Sequence, residues 1–422
     1  MPDELTQNLL HFISRCPTAF HAAAAMKKAL VYSGFEELPE ENPWTVQWGG
    51  RYVVTRNGSA LIALTLPAQP AGAFRLAAAH GDSPALKIKE NPELCDAYYI
   101  RLNVEGYGGL ICSTWTDRPL SVAGRVMTEE NGKITFRLVC VDRDLLVIPS
   151  LAIHMNRSVN ESCSWNIQKD LLPLYGEAED RGAFMKLIAR EAGLDDPSRI
   201  LGHDLFLYSR IPGTVWGARS EFLSSPRLDD LQCAFAAFRG FTEGKKEKYI
   251  CVNCLFDNEE TGSHTRQGAA SDFLESTLRR ITEGLGLTYD QYKSMLARSF
   301  MLSADNAHGV HPNYEDLSDP VNRPVLNGGV VLKFNAAQKY CTDAVSAALF
   351  RQLCQRAHVS CQSFANRSDM AGGSTLGNLS AVRVPVPTAD IGLPQLAMHS
   401  SWETAGVRDT ADLVNVCSFL FE

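Results

Sequence analysis

Apolar runs along this sequence repeatedly end in acidic residues or histidine. The runs and their closing residues are FRLAAAHGD with His80 and Asp82, KYICVNCLF followed by Glu259 and Glu260, FMLSADNAH with Asp305 and His308, and LPQLAMH with His399. Each run has the length and composition of a buried strand. An ionised side chain inside an apolar sheet is costly unless it is paired or binds a metal. Because open α/β sheets form their sites at strand ends, these residues are predicted to share one site.

The segments between these runs alternate between helix and strand patterns. Amphipathic helices are predicted over residues 4–14 and 19–32, followed by a hairpin over residues 51–66 that turns at Asn57-Gly58. After Pro226, the helical patterns LDDLQCAFAAFRGF and SDFLESTLRRITEGL alternate with apolar strands. Such alternation predicts an α/β fold in which helices cover a largely parallel central sheet.

A different pattern interrupts this alternation. From about residue 88 to residue 211 the segments are short and alternate in polarity, as in YIRLNVEGYGG, SVAGRVMT and KITFRLVCV, with Gly, Pro and Asn turns between them. That pattern is typical of a β-rich module. We therefore expect a discontinuous catalytic domain, residues 1–87 and 212–422, interrupted by a β-rich domain at residues 88–211.

Composition restricts the function classes. The 422 residues are 45% hydrophobic and 21% charged, with a formal net charge of -8, which is typical of folded globular domains. A net negative chain without a basic, aromatic-rich stripe argues against nucleic-acid binding. The acidic N-terminus and the lack of a long apolar stretch argue against a signal peptide and a membrane span. Twelve irregularly spaced cysteines fit a reducing compartment, so a cytoplasmic protein is expected.

The closing residues are chemically suited to divalent metals. Zinc accepts imidazole nitrogen and carboxylate oxygen, and a two-metal site needs at least five ligating side chains. The candidates are His80, Asp229 from SPRLDDL, Glu260, Asp305 and His399. Asp82, two residues after His80, is the candidate partner that orients its ring. The sequence therefore predicts a two-metal hydrolase, and its mixed nitrogen and oxygen ligands permit zinc, cobalt or manganese.

Glu259 and Glu260 have different predicted roles. Neighbouring side chains of an extended chain leave opposite faces, so one carboxylate can bind metal while the other faces the substrate. We assign Glu260 as the ligand and Glu259 as the general base that takes a proton from metal-activated water.

Eight motifs resemble those of the aspartyl aminopeptidases and occur in the same order. They are HGDSPALKIK, YGGLICSTWTDRPLSVAGRV, PSLAIHMNR, SPRLDDL, FDNEETGS, SADNAHGVHPNY, GGSTLG and DIGLPQLAMHSSWETAG. The resemblance covers nearly the whole chain. It implies a zinc exopeptidase-like α/β fold, with a mixed central sheet flanked by helices and an inserted β-rich dimerisation domain.

The resemblance also implies an activity and its cofactors. The family hydrolyses the first peptide bond of peptides that begin with Asp or Glu. Its two zinc ions per subunit would be held by the five candidate ligands, with Asp229 bridging them and Glu259 as the base acting on a bridging water.

Further roles are implied outside the metal ligands. His154 corresponds to a histidine that a neighbouring subunit contributes to the pocket, and His308, Lys333 and Tyr340 correspond to substrate-binding positions. Lys333 is expected to recognise an acidic side chain, because a desolvated cation selects a carboxylate. The family forms tetrahedral dodecamers built from dimers, so a homododecamer that admits short peptides is expected.

This sequence departs from the family pattern in three places. Gly81 replaces the usual threonine, Asp230 stands where asparagine commonly follows the bridging aspartate, and SDMAGGSTLG replaces the more usual NDSPCGSTIG. Three alternatives therefore stay open: a related exopeptidase of neutral or broad specificity, a deacylase of N-acyl amino acids, and a catalytically silent peptide-binding assembly.

Overall fold

The computed structural model describes residues 3–422. The helices are α1 (Glu4–Arg15), α2 (Ala19–Tyr32), α3 (Ile167–Asp170), α4 (Ala183–Glu191), α5 (Leu228–Glu243), α6 (Phe273–Gly284), α7 (Tyr289–Ala297), α8 (Ala344–Ala357), α9 (Leu376–Arg383) and α10 (Asp409–Leu420). Among the described residues, none of these helices has both the length and the apolar character that a membrane span requires.

The strands follow in chain order. They are β1 (Glu36–Glu37), β2 (Arg51–Arg56), β3 (Ala60–Thr65), β4 (Phe74–His80), β5 (Ala85–Cys95), β6 (Tyr99–Tyr107), β7 (Leu120–Glu130), β8 (Lys133–Cys140), β9 (Leu174–Glu177), β10 (Gly202–Ser209), β11 (Thr214–Trp216), β12 (Phe222–Ser225), β13 (Ile250–Phe256), β14 (Phe300–Ala304), β15 (Ala307–His308), β16 (Val330–Phe334), β17 (Cys361–Ala365), β18 (Thr388–Gly392), β19 (Pro394–Leu396) and β20 (Glu403–Gly406).

The chain divides into two compact units. The first contains the described residues up to Asp82, together with Gly213–Met398 and Glu403–Glu422. The second contains Ser83–Pro212 and His399–Trp402.

The first unit is built on a mixed central sheet. Its strand order is β1-β2-β3-β13-β4-β14-β18-β16-β17. The central strands β13, β4, β14 and β18 are parallel, whereas β3 pairs antiparallel with β13 and β16 pairs antiparallel with β18. The hairpin at Asn57-Gly58 joins β2 to β3, which also pair antiparallel, and both turn residues have positive φ, 56° and 66°, as tight hairpin turns require. The α/β fold with a mixed central sheet is confirmed, and parallel pairs also occur at its edges, between β1 and β2 and between β16 and β17.

Helices cover both faces of this sheet. Residues of β13 alternate between the two cores: Cys251 and Leu255 pack with α1, α2, α5, α8 and α10, while Val252 and Phe256 pack with α6, α7 and α9. A strand buried on both faces must be apolar throughout. This explains why the strand ahead of Glu259 is apolar except at Asn253.

One predicted strand ends early. The run LPQLAMH was expected to extend to His399, but β19 covers only Pro394–Leu396. Ala397 and His399 have φ values of 55° and 68°, and residues with left-handed backbone cannot continue a strand. The prediction of a strand reaching His399 is therefore wrong.

The second unit is an antiparallel sheet with a helix packed on it. Its strand order is β8-β7-β10-β5-β6-β9. Phe184, Leu187 and Ile188 of α4 pack into a core with Leu205 and Leu207 of β10. Alternation along β10 leaves its other residues on the opposite face of the sheet.

Candidate metal centre

The end of β4 places His80 at the centre of an acidic cluster. His80 pairs in register with Phe256 at the end of β13, and only 1% of its side chain is exposed. Its Nε2 atom lies 3.5 Å from Asp229 Oδ1 and 4.0 Å from Asp230 Oδ2, Glu259 Oε2 and Asp305 Oδ1. The chain thus brings carboxylates from three separate segments around one imidazole nitrogen.

The spacing of these atoms suits metal ligation. Ligand atoms of His80, Asp229, Asp230 and Asp305 all lie within 4.8 Å of one another, and so do those of His80, Glu259 and Glu260. Buried carboxylates and an imidazole at such spacing form the oxygen and nitrogen donor set that zinc prefers. Asp230 was not predicted as a ligand, yet its Oδ1 is buried and has no hydrogen-bond partner among the described residues.

The ring of His80 is oriented by Asp82. Nδ1 of His80 lies 3.1 Å from the main-chain oxygen of Asp82 and 3.4 Å from its Oδ1 atom. A carbonyl oxygen can only accept, so Nδ1 carries a proton and Nε2 is the ring atom that faces the acidic cluster. The arrangement puts Asp82 where the sequence placed it, but the main-chain oxygen makes the shorter contact.

Glu259 and Glu260 lie in a turn and not in extended chain. Asn258 has a left-handed backbone with φ 60°, and Glu259–Thr261 forms a short 3-10 helix. Asn tolerates this conformation better than other residues that carry a side chain. The expectation that an extended backbone separates the two carboxylates is therefore wrong, and the turn sets their directions instead.

Asp82 also holds this turn in place. Its Oδ1 accepts the main-chain N–H of Glu259 at 3.1 Å, and its Oδ2 accepts that of Glu260 at 3.2 Å. Both amides belong to the first turn of a helix, where main-chain donors lack partners within the helix. One carboxylate thereby fixes two neighbouring acidic residues.

Asp229 and Asp230 sit at the start of α5. The main-chain N–H of Asp229 donates to Glu403 Oε2 at 3.0 Å, and Asp230 Oδ2 accepts the main-chain N–H of His80 at 3.1 Å. Glu403 in β20 is 1% exposed and was missed by the sequence analysis. No periodic pattern distinguishes it, because its role depends on a partner far away in the chain.

Asp305 forms a buried ion pair with Lys333. Nζ of Lys333 lies 3.5 Å from Asp305 Oδ2, with 3% of the lysine side chain exposed, and it donates to the main-chain oxygen of Asn306 at 2.8 Å. Burial alone would lower the pKa of Lys333, but Asp305, together with Tyr340 and Asp390, outweighs burial and raises it. The lysine is therefore held as a cation beside the acidic cluster.

Two other predicted substrate-binding residues, Tyr340 and His308, lie against Phe364. The ring centroid of Tyr340 is 5.5 Å from Lys333 Nζ and 6.2 Å from the ring of Phe364. His308 is exposed, with its ring 5.9 Å from that of Phe364. Tyr340 and His308 thus flank the same phenylalanine.

Burial and mutual repulsion raise the pKa values of carboxylates in the acidic cluster. Burial raises the pKa of Glu259 to about 8, and the carboxylates of Asp305 and Asp82 add to this while His80 opposes it. Burial likewise raises the pKa of Glu260 well above its ordinary value. Carboxylates packed this closely repel one another in their charged forms, and a divalent cation would remove that repulsion. The residues present therefore fit a zinc site.

His399 and His154 belong to the second unit. Nδ1 of His399 lies 2.9 Å from the main-chain oxygen of Gly109, a contact that orients the ring. His154 lies in a short 3-10 helix, Ile153–Met155, and is exposed.

Comparison with known proteins identifies the family. Residues 12–421 match the family described as Aminopeptidase I zinc metalloprotease (M18). The chain belongs to the M18 family of zinc aminopeptidases. This M18 chain is 43% identical over 416 residues to "Probable M18 family aminopeptidase 2" of Clostridium novyi (strain NT), with 96% of each chain covered.

Solved structures of M18 proteins have the same fold. The structure of the Ape4 and Nbr1 complex matches with a TM-score of 0.95 and 37% identity, covering 99% of this M18 chain and 85% of the other. The Saccharomyces cerevisiae mApe1 dodecamer matches with a TM-score of 0.86 and 27% identity, covering 99% of this chain and 96% of the other. The predicted family, zinc exopeptidase-like fold and aminopeptidase class are confirmed.

Proposed function

We propose that this M18 chain removes N-terminal Asp or Glu from short peptides by a two-zinc mechanism. The observation that carries the proposal is two overlapping groups of candidate ligands that share His80: the first adds Asp229, Asp230 and Asp305, and the second adds Glu259 and Glu260. Such a constellation combines metal ligands with an acid–base group, as hydrolysis of an amide requires.

The ligand set divides between the two ions. His80, Asp229 and Asp305 would hold one, while Asp229, Glu260 and His399 would hold the other, with Asp229 bridging. The place of His399 in this set rests on the motif resemblance. When bound, the ions polarise the scissile carbonyl and acidify water, and cobalt or manganese could replace zinc at one position.

Glu259 would act as the general base. Its carboxylate lies 4.0 Å from His80 Nε2, and Asp82 holds its main chain. Glu259 takes a proton from the attacking water and passes it to the departing amine, so the same group serves as base and then as acid.

Preference for an acidic residue would depend on Lys333. Its ammonium is desolvated and lies beside the ring of Tyr340. A carboxylate brought next to a buried cation gains more than it would in water. His308 would contact the same substrate on the exposed side of Phe364.

A second candidate is an M18 exopeptidase of neutral specificity. Lys333 already forms an ion pair with Asp305 and donates to the main-chain oxygen of Asn306. These contacts favour a lysine that holds Asp305 in place over one that binds the substrate side chain. The two candidates predict different substrate profiles.

A panel of Asp, Glu, Leu and Lys arylamides separates them. The protein is stripped with a chelator and then reloaded with zinc, cobalt or manganese. The acidic proposal expects kcat/KM for Asp and Glu to exceed that for Leu by at least about tenfold. Equal values for all four substrates would contradict it and support the neutral candidate, while no turnover with any metal would indicate a catalytically silent assembly.

We further propose that the chain assembles as a homododecamer built from dimers, in which His154 completes the pocket of a neighbouring subunit. The support is the family resemblance, the dodecameric mApe1 neighbour, and the exposed apolar side chains of Leu151, Ile153 and Met155 around His154. Sizing with light scattering tests this assembly. A fully active monomer at high dilution would contradict it.

A further inference from the structure

Asp390 is a buried carboxylate in β18 beside the candidate substrate pocket. It precedes Ile391, which pairs antiparallel with Leu332 of β16, and Lys333 directly follows Leu332 on that strand. Asp390 is 0% exposed. A carboxylate in such a place is costly unless hydrogen bonds satisfy it.

Hydrogen bonds from two different loops meet at Asp390. Its Oδ2 accepts the main-chain N–H of Cys341 at 2.5 Å, and its Oδ1 accepts the hydroxyl of Thr375 at 2.8 Å. Its own main-chain N–H donates to the hydroxyl of Thr342 at 2.9 Å. One residue of the sheet thus holds the segment after β16 and the turn that leads into α9.

The two loops are also joined to each other. Nζ of Lys339 donates to the main-chain oxygen of Gly372 at 2.8 Å. At Gly377, a Cβ atom would lie 2.5 Å from Asp390 Oδ1 and 2.8 Å from Cys341 Sγ. Glycine is therefore required for α9 to approach the carboxylate this closely.

These loops carry the residue that faces Lys333. Tyr340 is directly before Cys341, and its ring lies 5.5 Å from Lys333 Nζ. Release of the Cys341 amide or of the Thr375 hydroxyl would free the Tyr340 segment to move away from the lysine. The loop that departs from the usual family sequence, SDMAGGSTLG, ends at Gly377 and includes Thr375.

We propose that Asp390 is a positioning residue for the substrate pocket: its carboxylate holds the Tyr340 segment and the Gly372–Thr375 turn together beside Lys333. Asp390 itself does not touch the substrate. The inference rests on the proposed aminopeptidase function and extends it to the loops that set specificity.

A matched pair of variants at Thr375 tests this role. Thr375→Val removes the hydroxyl and keeps the shape, whereas Thr375→Ser keeps the hydroxyl. For the Asp arylamide, Thr375→Val is expected to raise KM about three- to tenfold, as expected for one lost hydrogen bond, with little change in kcat. The ratio of kcat/KM for Asp over Leu should fall by the same factor, and Thr375→Ser should restore both. Zinc content should stay at the wild-type level in both variants.

Two further variants keep the test decisive if Thr375→Val folds poorly. Asp390→Asn leaves only one accepting oxygen and should raise KM further, while the exposed Lys339→Met removes only the link to Gly372 and should raise KM slightly. The role of Asp390 is overturned if Thr375→Val, Asp390→Asn and Lys339→Met all keep the wild-type preference for Asp. It is also overturned if kcat/KM falls equally for all substrates and the fall follows a lower Tm. If the wild-type enzyme does not prefer acidic substrates, the proposed specificity is contradicted. The role of Asp390 is then tested by measuring KM of the variants for the best substrate of the wild type.

Discussion

Asp82 and Glu259 are joined by a hydrogen bond of 3.1 Å from the main-chain N–H of Glu259 to Oδ1 of Asp82. The second oxygen of Asp82 binds the N–H of Glu260, and its main-chain oxygen lies 3.1 Å from Nδ1 of His80. Asp82 therefore positions the candidate base and two candidate metal ligands at once. Groups that orient ligands commonly matter almost as much as the ligands themselves.

Asp82→Asn should weaken zinc binding about 10- to 100-fold. The amide nitrogen of asparagine cannot accept the N–H of Glu259 or Glu260, so the acidic turn loses one anchor. Competition with a chromogenic chelator measures the affinity. Asp196→Asn is the control, because Asp196 is an exposed carboxylate that also accepts a main-chain N–H. Unchanged zinc affinity in Asp82→Asn would show that the turn holds its shape without Asp82.

Glu259→Gln should keep its zinc and lose turnover by a factor of about 10² to 10⁴. Glutamine has the size of glutamate but cannot accept the proton of the attacking water. Turnover and bound zinc are measured on the same preparation, with the exposed Glu243→Gln in α5 as control. Wild-type turnover would exclude Glu259 as the base, whereas loss of zinc would make it a ligand.

Lys333→Met should reduce kcat/KM for the Asp arylamide at least about tenfold more than for the Leu arylamide. The reason is that the substrate carboxylate would lose its desolvated cation. Lys293→Met, an exposed lysine of α7, serves as control. An equal loss on both substrates, accompanied by loss of zinc, would instead assign Lys333 to the support of Asp305.

The stability of the protein should fall as the pH drops from about 6.5 to about 4 because of His21. Burial lowers the pKa of His21 from 6.5 to about 4, and Arg227 adds to this. In this pH range His21 binds a proton in the unfolded chain but not in the folded protein. The free energy of unfolding therefore falls as the pH drops, by up to about 3 kcal/mol at the acidic end.

His21→Asn should flatten that part of the pH profile. Asparagine can still contact the hydroxyl of Thr18, which lies 2.8 Å from His21 Nδ1, but it does not titrate. Urea unfolding at a series of pH values measures the slope, and His11→Asn on the exposed side of α1 is the control. A slope identical to the wild type would show that His21 does not govern this range.

The strands that carry the candidate site residues could be predicted from the sequence, because their signal is local. The apolar runs of β4, β13 and β14 place their closing polar residues at one edge of the sheet, and this depends only on strand composition. The turn at Glu259 was mispredicted, because it is fixed by Asp82 from 177 positions away in the chain.

The supporting residues were the hardest to predict. Glu403 and Asp390 are single acidic residues in short strands, and their partners, Asp229 and Thr375, are distant in sequence. Their importance follows from burial, which one sequence cannot reveal. His399 was predicted as the residue that closes an apolar strand, although that strand ends at Leu396.

The number of metal ions per chain tests the central claim most directly. The purified protein is dialysed with an excess of zinc and then against metal-free buffer, and bound zinc is measured by mass spectrometry beside Asp229→Ala. Two zinc ions per wild-type chain are expected, and both should be lost in Asp229→Ala, since Asp229 would bridge them. A wild-type chain that retains no zinc, or a variant that retains the full amount, would contradict it.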